Sequence, residues 1–278
     1  MNTKTITLTN GQTIHTSVKS GRMTINTPLL VMNGIGASLS LLSPFVDALH
    51  KSNPDIEIIT FDCPGVGGSS TPCLPYRFSG LAEVVAEMLD VLNYDKVDVL
   101  GLSWGGFAAT QFAYDFPERV GKLILAATAT GVTSIPPSLK VLSLMASPRR
   151  YTDPEYMASI APDLYGGKFR TNPTLALEYA EKMSKNKDEN KGSGLGYKYQ
   201  QLAICWWSSV WMLPSIKQPT LLLAGDDDPL IDIRNMKMMD KLLPNSELHT
   251  ITDGGHLFLI TDLDIVIPII NKFLEGIE

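Results

Sequence analysis

The chain has 278 residues, 44% of them hydrophobic and 19% charged, with a formal net charge of −6. That size and apolar content suit one large domain, or a core carrying an inserted cap. The acidic balance argues against a general nucleic-acid binder, and no apolar run approaches the length of a membrane span or a signal peptide. Three cysteines (Cys63, Cys73 and Cys205) with no C-x-x-C pair argue against a disulfide framework and point to a reducing cytoplasm. Peripheral attachment to a surface stays open.

In chain order, TKTITLTNGQTIHTSVK alternates around Asn10-Gly11 and predicts two antiparallel strands. PLLVMN (28–33) is a buried-strand run ending at Gly34, and a helical pattern follows from Leu39 to His50. IEIITFD (56–62) is a second such run, ending in the glycine-rich loop CPGVGGSS. A helix with apolar Leu81, Val84, Val85, Met88, Leu89 and Leu92 comes next, with Ser79 as its expected cap. VDVLGL and KLILAA (122–127) are further strand runs, separated by a helix that Pro117 closes. Short buried runs alternating with helices predict an α/β fold, a doubly wound and mostly parallel sheet.

From Gly131 to about Leu213 the strand pattern stops, replaced by prolines, short helical patterns and the polar stretch KNKDENKGSG (185–194). TLLLAG (220–225) and ELHTI (247–251) resume it, and Pro268 is expected to kink or start the last helix. The expected organisation is a core of residues 1–130 and 214–278 with a helical cap at 131–213, an insertion longer than ordinary loops.

Gly101-Leu102-Ser103-Trp104-Gly105 stands where a strand turns sharply into a helix. Such a turn lifts a serine Oγ above the sheet, and the residues two before and two after it must be small. The helix starting at Trp104 aims its positive end at the serine and favours developing negative charge. The bland alternative makes Ser103 an N-cap and the glycines a packing device. Context has to decide between them.

A serine nucleophile needs a base, and the base an orienting carboxylate, here expected in the order serine, acid, histidine. Of four histidines, His15 and His50 precede the serine, and His249 lies within the strand run ELHTI. His256, in TDGGHLFL just past that strand, is left as the base. The loop after TLLLAG offers Asp226, Asp227 and Asp228. Asp228, last of the three and followed by Pro229, is the expected acid; Asp226 and Asp227 are expected turn formers, with Asp253 a weaker competitor. Two backbone N–H groups must face the oxyanion, and Trp104 and Ile35, the latter in Asn33-Gly34-Ile35-Gly36, are the expected donors. GVGGSS (65–70) lacks both the lysine of a phosphate loop and G-x-G-x-x-G spacing, and the histidines have no metal-ligand spacing. No cofactor and no metal are implied.

Taken together these residues resemble the α/β-hydrolase superfamily and, more closely, the intracellular depolymerases of medium-chain-length poly(3-hydroxyalkanoate). The resemblance runs from Pro28 to Leu274 and rests on NGIGA (33–37), FDCPGVGGSSTPCLPYRF (61–78), SWGG (103–106), MASPRRY (145–151), QPTLLLAGDDDPLI (218–231) and DGGHLFLIT (253–261). Residue by residue it implies Ser103 as nucleophile, Asp228 as acid and His256 as base. Three places depart from the family: the hairpin before Pro28, the longer and more charged Lys185–Gly194, and Asp232 in place of the usual proline.

The resemblance implies a cytoplasmic serine esterase whose partner is a polyester granule surface or a hydrophobic ester, with granule association left open. Asn33, Gly34, Met145, Trp206, Trp207 and Trp211 are the expected substrate contacts, although most tryptophans of ICWWSSVWML (204–213) are also expected to pack the cap onto the core. Two rivals remain at this level: a general carboxylesterase acting on soluble esters, and a non-catalytic receptor built on the same fold. Oligomeric state is not legible in the sequence.

Overall fold

The computed structural model describes residues 2–22, 27–151, 153–185 and 194–276. The charged stretch singled out above lies, at 186–193, outside the described residues. Strands β1 (Asn2–Thr7) and β2 (Thr13–Lys19) form the expected antiparallel hairpin, with Gly11 at φ 82° in its turn. Then follow β3 (Leu29–Met32), α1 (Ser43–Ser52), β4 (Ile58–Phe61), α2 (Phe78–Leu92), β5 (Val97–Leu102), α3 (Trp104–Asp115) and β6 (Val120–Ala126). Helices α4 (Leu139–Ala146), α5 (Pro154–Tyr165), α6 (Lys168–Thr171), α7 (Pro173–Lys185) and α8 (Gly194–Ile204) come before the next strand. The chain ends with β7 (Thr220–Gly225), α9 (Ile233–Leu242), β8 (Ser246–Ile251), α10 (Phe258–Thr261) and α11 (Leu263–Glu275).

The eight strands order as β1-β2-β4-β3-β5-β6-β7-β8, antiparallel at the β1–β2 and β2–β4 pairs and parallel from β4 onward. Alternation along each parallel strand feeds two cores. Leu30, Met32, Val99, Leu123, Leu125 and Leu222 face the side covered by α2 and α3, while Leu29, Val31, Leu100, Ile124, Leu221 and Leu223 face α1 and α11. Because the six strands run the same way, their carboxyl ends open along one edge, where the loops carrying Ile35, Ser103, Asp228 and His256 converge.

Three expectations shift. The helix expected from Leu39 begins at Ser43, because Asp62 Oδ1 accepts the Leu39 N–H at 2.7 Å and residues 38–42 turn instead, leaving Pro44 in the first turn. Ser79 lies inside α2, whose N-cap is the extended Arg77. Of the kink or start expected at Pro268, the start does not occur: Pro268 lies inside α11, where Val266, Ile267 and Ile270 bury on the core and outweigh one missing backbone bond. Between β6 and β7 the described residues form helices, 3-10 turns and a lone bridge, Gly131 with Ser208.

Candidate active site

The glycines around Ser103 have a steric reason. A Cβ on Gly101 would come within 2.4 Å of the Gly105 carbonyl oxygen, one on Gly105 within 2.2 Å of the Met32 carbonyl oxygen, and one on Gly106 within 2.4 Å of Thr128 Oγ1. Strand β5 therefore turns into α3 with backbone pressed on backbone. Ser103 itself takes φ 54°, ψ −118°, a conformation costing about 1–3 kcal/mol in a non-glycine residue. The Ser103 N–H donates to Ala126 O (2.9 Å) and Thr128 Oγ1 donates to Ser103 O (2.8 Å), so neighbouring β6 and its loop hold the strained turn. Ser103 occupies the N-cap position, yet its side chain caps nothing. Its Oγ lies 3.0 Å from His256 Nε2.

His256 Nδ1 in turn lies 2.8 Å from Asp228 Oδ2. The Asp228 side chain is 1% exposed, and its other oxygen accepts the N–H groups of Leu230 (2.8 Å) and Ile231 (3.0 Å), which fixes the carboxylate plane. That arrangement sets the proton on Nδ1 and leaves Nε2 to accept from Ser103. Tyr165, at the end of α5, accepts the His256 N–H at 2.7 Å, and its ring lies parallel to the imidazole, 6.3 Å between centroids. Of the other histidines, His249 faces outward on β8 near Glu247, His50 reaches the Ile56 carbonyl and His15 reaches Thr5.

Asp226, Asp227 and Asp228 are sorted by geometry. Asp226 is exposed. Asp227 does more than form a turn: its Oδ2 accepts the Gly167 N–H and the Arg170 guanidinium, both at 2.7 Å, and so ties the α5–α6 junction to the acid loop. Gly166 and Gly167 make this junction possible. Both have positive φ, and a Cβ on either would come within 2.0 Å of Asp227 O or 2.3 Å of Gly255 N. The Tyr-Gly-Gly run was the available sequence signal, a paired glycine inside an otherwise helical stretch. Asp62 was also missed; it holds the loop after β3 through Leu39 N and the glycine-rich loop through Gly68 N.

Ile35 and Trp104 both border Ser103, and among the described residues neither backbone N–H is engaged in a hydrogen bond. Gly34 to Ala37 form a turn closed by Ala37 N–H to Gly34 O (3.2 Å), with Gly36 at φ 70°; such a turn leaves the Ile35 N–H unused. A cavity of about 400 Å³, the size of a small-molecule pocket, opens above Ser103. Gly34, Met145, Ile204, Leu230, Ile231 and Leu257 are among its predominantly apolar walls.

Four expected contacts do not line the cavity. Asn33 is 2% exposed and donates to Ser38 O, shaping the loop from beneath. Chain direction reverses after α8 through Trp206 at φ 69°, which turns its ring outward to 95% exposure. The next residue therefore points the other way. Trp207 packs on Phe78 and Phe107, 4.9 and 5.1 Å between centroids, and donates from Nε1 to Gln111 Oε1 at 2.7 Å. Trp211 stands edge-on to Tyr114 and is 60% exposed. Trp207→Ala is expected to cost about 3–5 kcal/mol, and Trp206→Ala well under about 1 kcal/mol, as read by chemical denaturation of the two variants.

The sequence profile of the alpha/beta hydrolase fold matches residues 27–263. The chain is an α/β-hydrolase. It is 53% identical over 272 residues to the poly(3-hydroxyalkanoate) depolymerase of Ectopseudomonas oleovorans, covering 98% of this chain and 92% of that one. It is 30% identical to a 2-hydroxy-6-oxononadienedioate/2-hydroxy-6-oxononatrienedioate hydrolase of Burkholderia vietnamiensis, over 83% of this chain and 81% of the other. The crystal structure of an enol-lactonase from Burkholderia xenovorans superposes with a TM-score of 0.79 at 21% identity, covering 98% of this α/β-hydrolase and all of that chain. Kinship with the depolymerase makes this α/β-hydrolase an enzyme of the ester-hydrolase class. No helix among the described residues is long and apolar enough to cross a membrane.

Proposed function

We propose that this α/β-hydrolase cleaves ester bonds of medium-chain-length poly(3-hydroxyalkanoate) in the cytoplasm, at the surface of polyester granules. The observation that carries the proposal is the hydrogen-bonded series Ser103 Oγ, His256 Nε2, His256 Nδ1, Asp228 Oδ2 at the floor of an apolar cavity, in a chain 53% identical to a poly(3-hydroxyalkanoate) depolymerase. Ser103 Oγ attacks the ester carbonyl while His256 Nε2 takes its proton, and the negative charge passes to the carbonyl oxygen. The N–H groups of Ile35 and Trp104 receive that oxyanion, and the positive end of α3 adds to the field. His256 then returns the proton to the departing hydroxyl end of the polymer. Water, deprotonated by the same imidazole, attacks the acyl–serine ester, and His256 passes that proton to Ser103 Oγ as the hydroxy acid leaves. Asp228 keeps the imidazole in the tautomer each step needs and stabilises its cation.

In this reading residues 131–213 act as a cap over the acyl pocket, with Met145 on its wall. Val132 and Leu142 line the cavity and are also 57% and 43% exposed, so apolar surface continues from the pocket to its mouth, as an insoluble substrate requires. The polar demand of such a substrate is small, one carbonyl at a time.

The test is acid release from dispersed medium-chain and short-chain polymers at matched surface area, beside a soluble ester. Each added methylene buried in the pocket is worth about 0.8 kcal/mol, so the medium-chain polymer is expected to be cleaved faster. Faster release from the short-chain polymer, or activity confined to the soluble ester, would replace this reading with that of a carboxylesterase.

A further inference from the structure

Gln200, on helix α8, touches both the turn that carries Ile35 and the side chain of Trp104, the two residues whose N–H groups are the proposed oxyanion donors. Its side chain is wholly buried. Oε1 accepts the Gly36 N–H at 2.7 Å across 164 residues of sequence. The Gln200 backbone carbonyl accepts the Trp104 indole Nε1–H at 3.0 Å. One cap residue thus joins the turn containing Ile35 to the first residue of α3.

We infer that Gln200 is a positioning residue for the oxyanion site, holding the Ile35 and Trp104 N–H groups at the spacing the tetrahedral intermediate requires. The inference rests on the proposed roles of Ser103, Ile35 and Trp104.

The geometry of the turn gives the reason. Gly36 occupies the third position of the Gly34–Ala37 turn with φ 70°, so the Ile35–Gly36 peptide is in the flipped orientation. A flip of that peptide would reverse the Gly36 N–H and change Ile35 ψ and Gly36 φ, and so would deform the turn on which the Ile35 N–H is carried. Gln200 Oε1 holds the Gly36 N–H where it is and prevents the flip. Oxyanion stabilisation depends on donors placed before charge develops, so small losses of order translate directly into turnover.

The rest of α8 is built to keep Gln200 in place. Gly196, one turn earlier, lies so close to Gly65 that a Cβ on Gly196 would come within 1.9 Å of the Gly65 carbonyl oxygen. The Tyr199 hydroxyl donates to Cys73 O at 3.4 Å. The helix is therefore joined to the glycine-rich loop as well as to the oxyanion loops, backbone against backbone. The Gln200 amide lies beside the buried Cys63 thiol and Tyr76 hydroxyl. Burial pushes the Cys63 thiol up to about 12 and the Tyr76 hydroxyl well above its ordinary range, so both stay protonated. Gln200 Nε2 lies beside them without a well-formed hydrogen bond, which makes Oε1 the working end of the side chain.

The test compares Gln200→Leu and Gln200→Met, which lack an oxygen acceptor, with Gln200→Glu, which keeps an oxygen toward Gly36. Turnover of a soluble p-nitrophenyl ester and inhibition by an alkylboronic acid, which forms a tetrahedral adduct on a nucleophilic serine, are measured for each. Both non-accepting variants are expected to lose about 10- to 100-fold in kcat with KM within about twofold, somewhat less than the ~10²–10³ of removing a donor outright. Boronate affinity should fall by a similar factor, and Gln200→Glu should recover most of both. A kcat within about threefold of the parent in whichever of the two variants folds, or a rise in KM at unchanged kcat, overturns the inference. Ser103→Ala serves as control: if it remains active, the proposed nucleophile fails instead.

Discussion

Ser103→Ala is expected to lower ester turnover by about 10⁵- to 10⁶-fold while leaving the fold intact, because the members of such a relay act as one unit and the remaining catalysis comes only from binding and oxyanion contacts. The change removes one oxygen whose partner is His256 Nε2 at 3.0 Å. A lost hydrogen bond of this kind is worth about 0.5–1.5 kcal/mol, so the melting temperature should move by a few degrees at most. The strained turn is retained, since alanine meets the same backbone conflict at φ 54° and the Thr128 and Ala126 bonds to the Ser103 backbone remain. A serine-reactive phosphonate should label the parent at Ser103 and leave the variant unmodified. A folded Ser103→Ala protein with near-parental turnover would sink the mechanism, and covalent label on another serine would move the site.

Much of the fold was legible because buried parallel strands leave short apolar runs, and each of VDVLGL, KLILAA and TLLLAG became a strand at or within two residues of its expected bounds. Helix starts were less legible. A start depends on which N–H groups are already taken by distant partners, and the bond from Leu39 to Asp62 has no local signature. The same limit applies to the site. Ser103, Asp228 and His256 were readable because each sits in a turn whose local chemistry is distinctive: glycines at fixed offsets, a proline after the acid, a glycine pair before the histidine. Trp206 and Trp207 were not separable by residue type, since only the left-handed backbone at Trp206 decides which ring meets the core. Gln200 could not be found at all from sequence, where it is one of two adjacent glutamines. What distinguishes it is contact with two loops 96 and 164 residues away.

Asp228→Asn is expected to lower kcat by about 10⁴-fold, far more than either neighbouring substitution, because only this carboxylate can hold the imidazole tautomer that accepts the serine proton. Asp228 Oδ1 is committed to the Leu230 and Ile231 N–H groups, so an asparagine keeps its oxygen there and turns its NH₂ toward His256. Nδ1 must then accept rather than donate, the ring proton moves to Nε2, and Ser103 loses its base. Folding should be nearly unaffected, since shape and the two backbone bonds are preserved. Asp227→Asn breaks a different interaction, the ion pair with Arg170 at 2.7 Å, between side chains 37% and 42% exposed. Such a half-exposed pair is worth about 0–1 kcal/mol, and the asparagine oxygen can still accept the Gly167 N–H, so kcat should fall by less than about tenfold. Asp226, exposed and outside these contacts, should tolerate the change within about twofold. Single-turnover acylation of these three variants and of Asp253→Asn with one soluble ester separates the cases. Equal losses at all three positions would make the loop a structural element and leave the acid unassigned, whereas the largest loss at Asp253→Asn would shift the acid to the loop that carries the histidine.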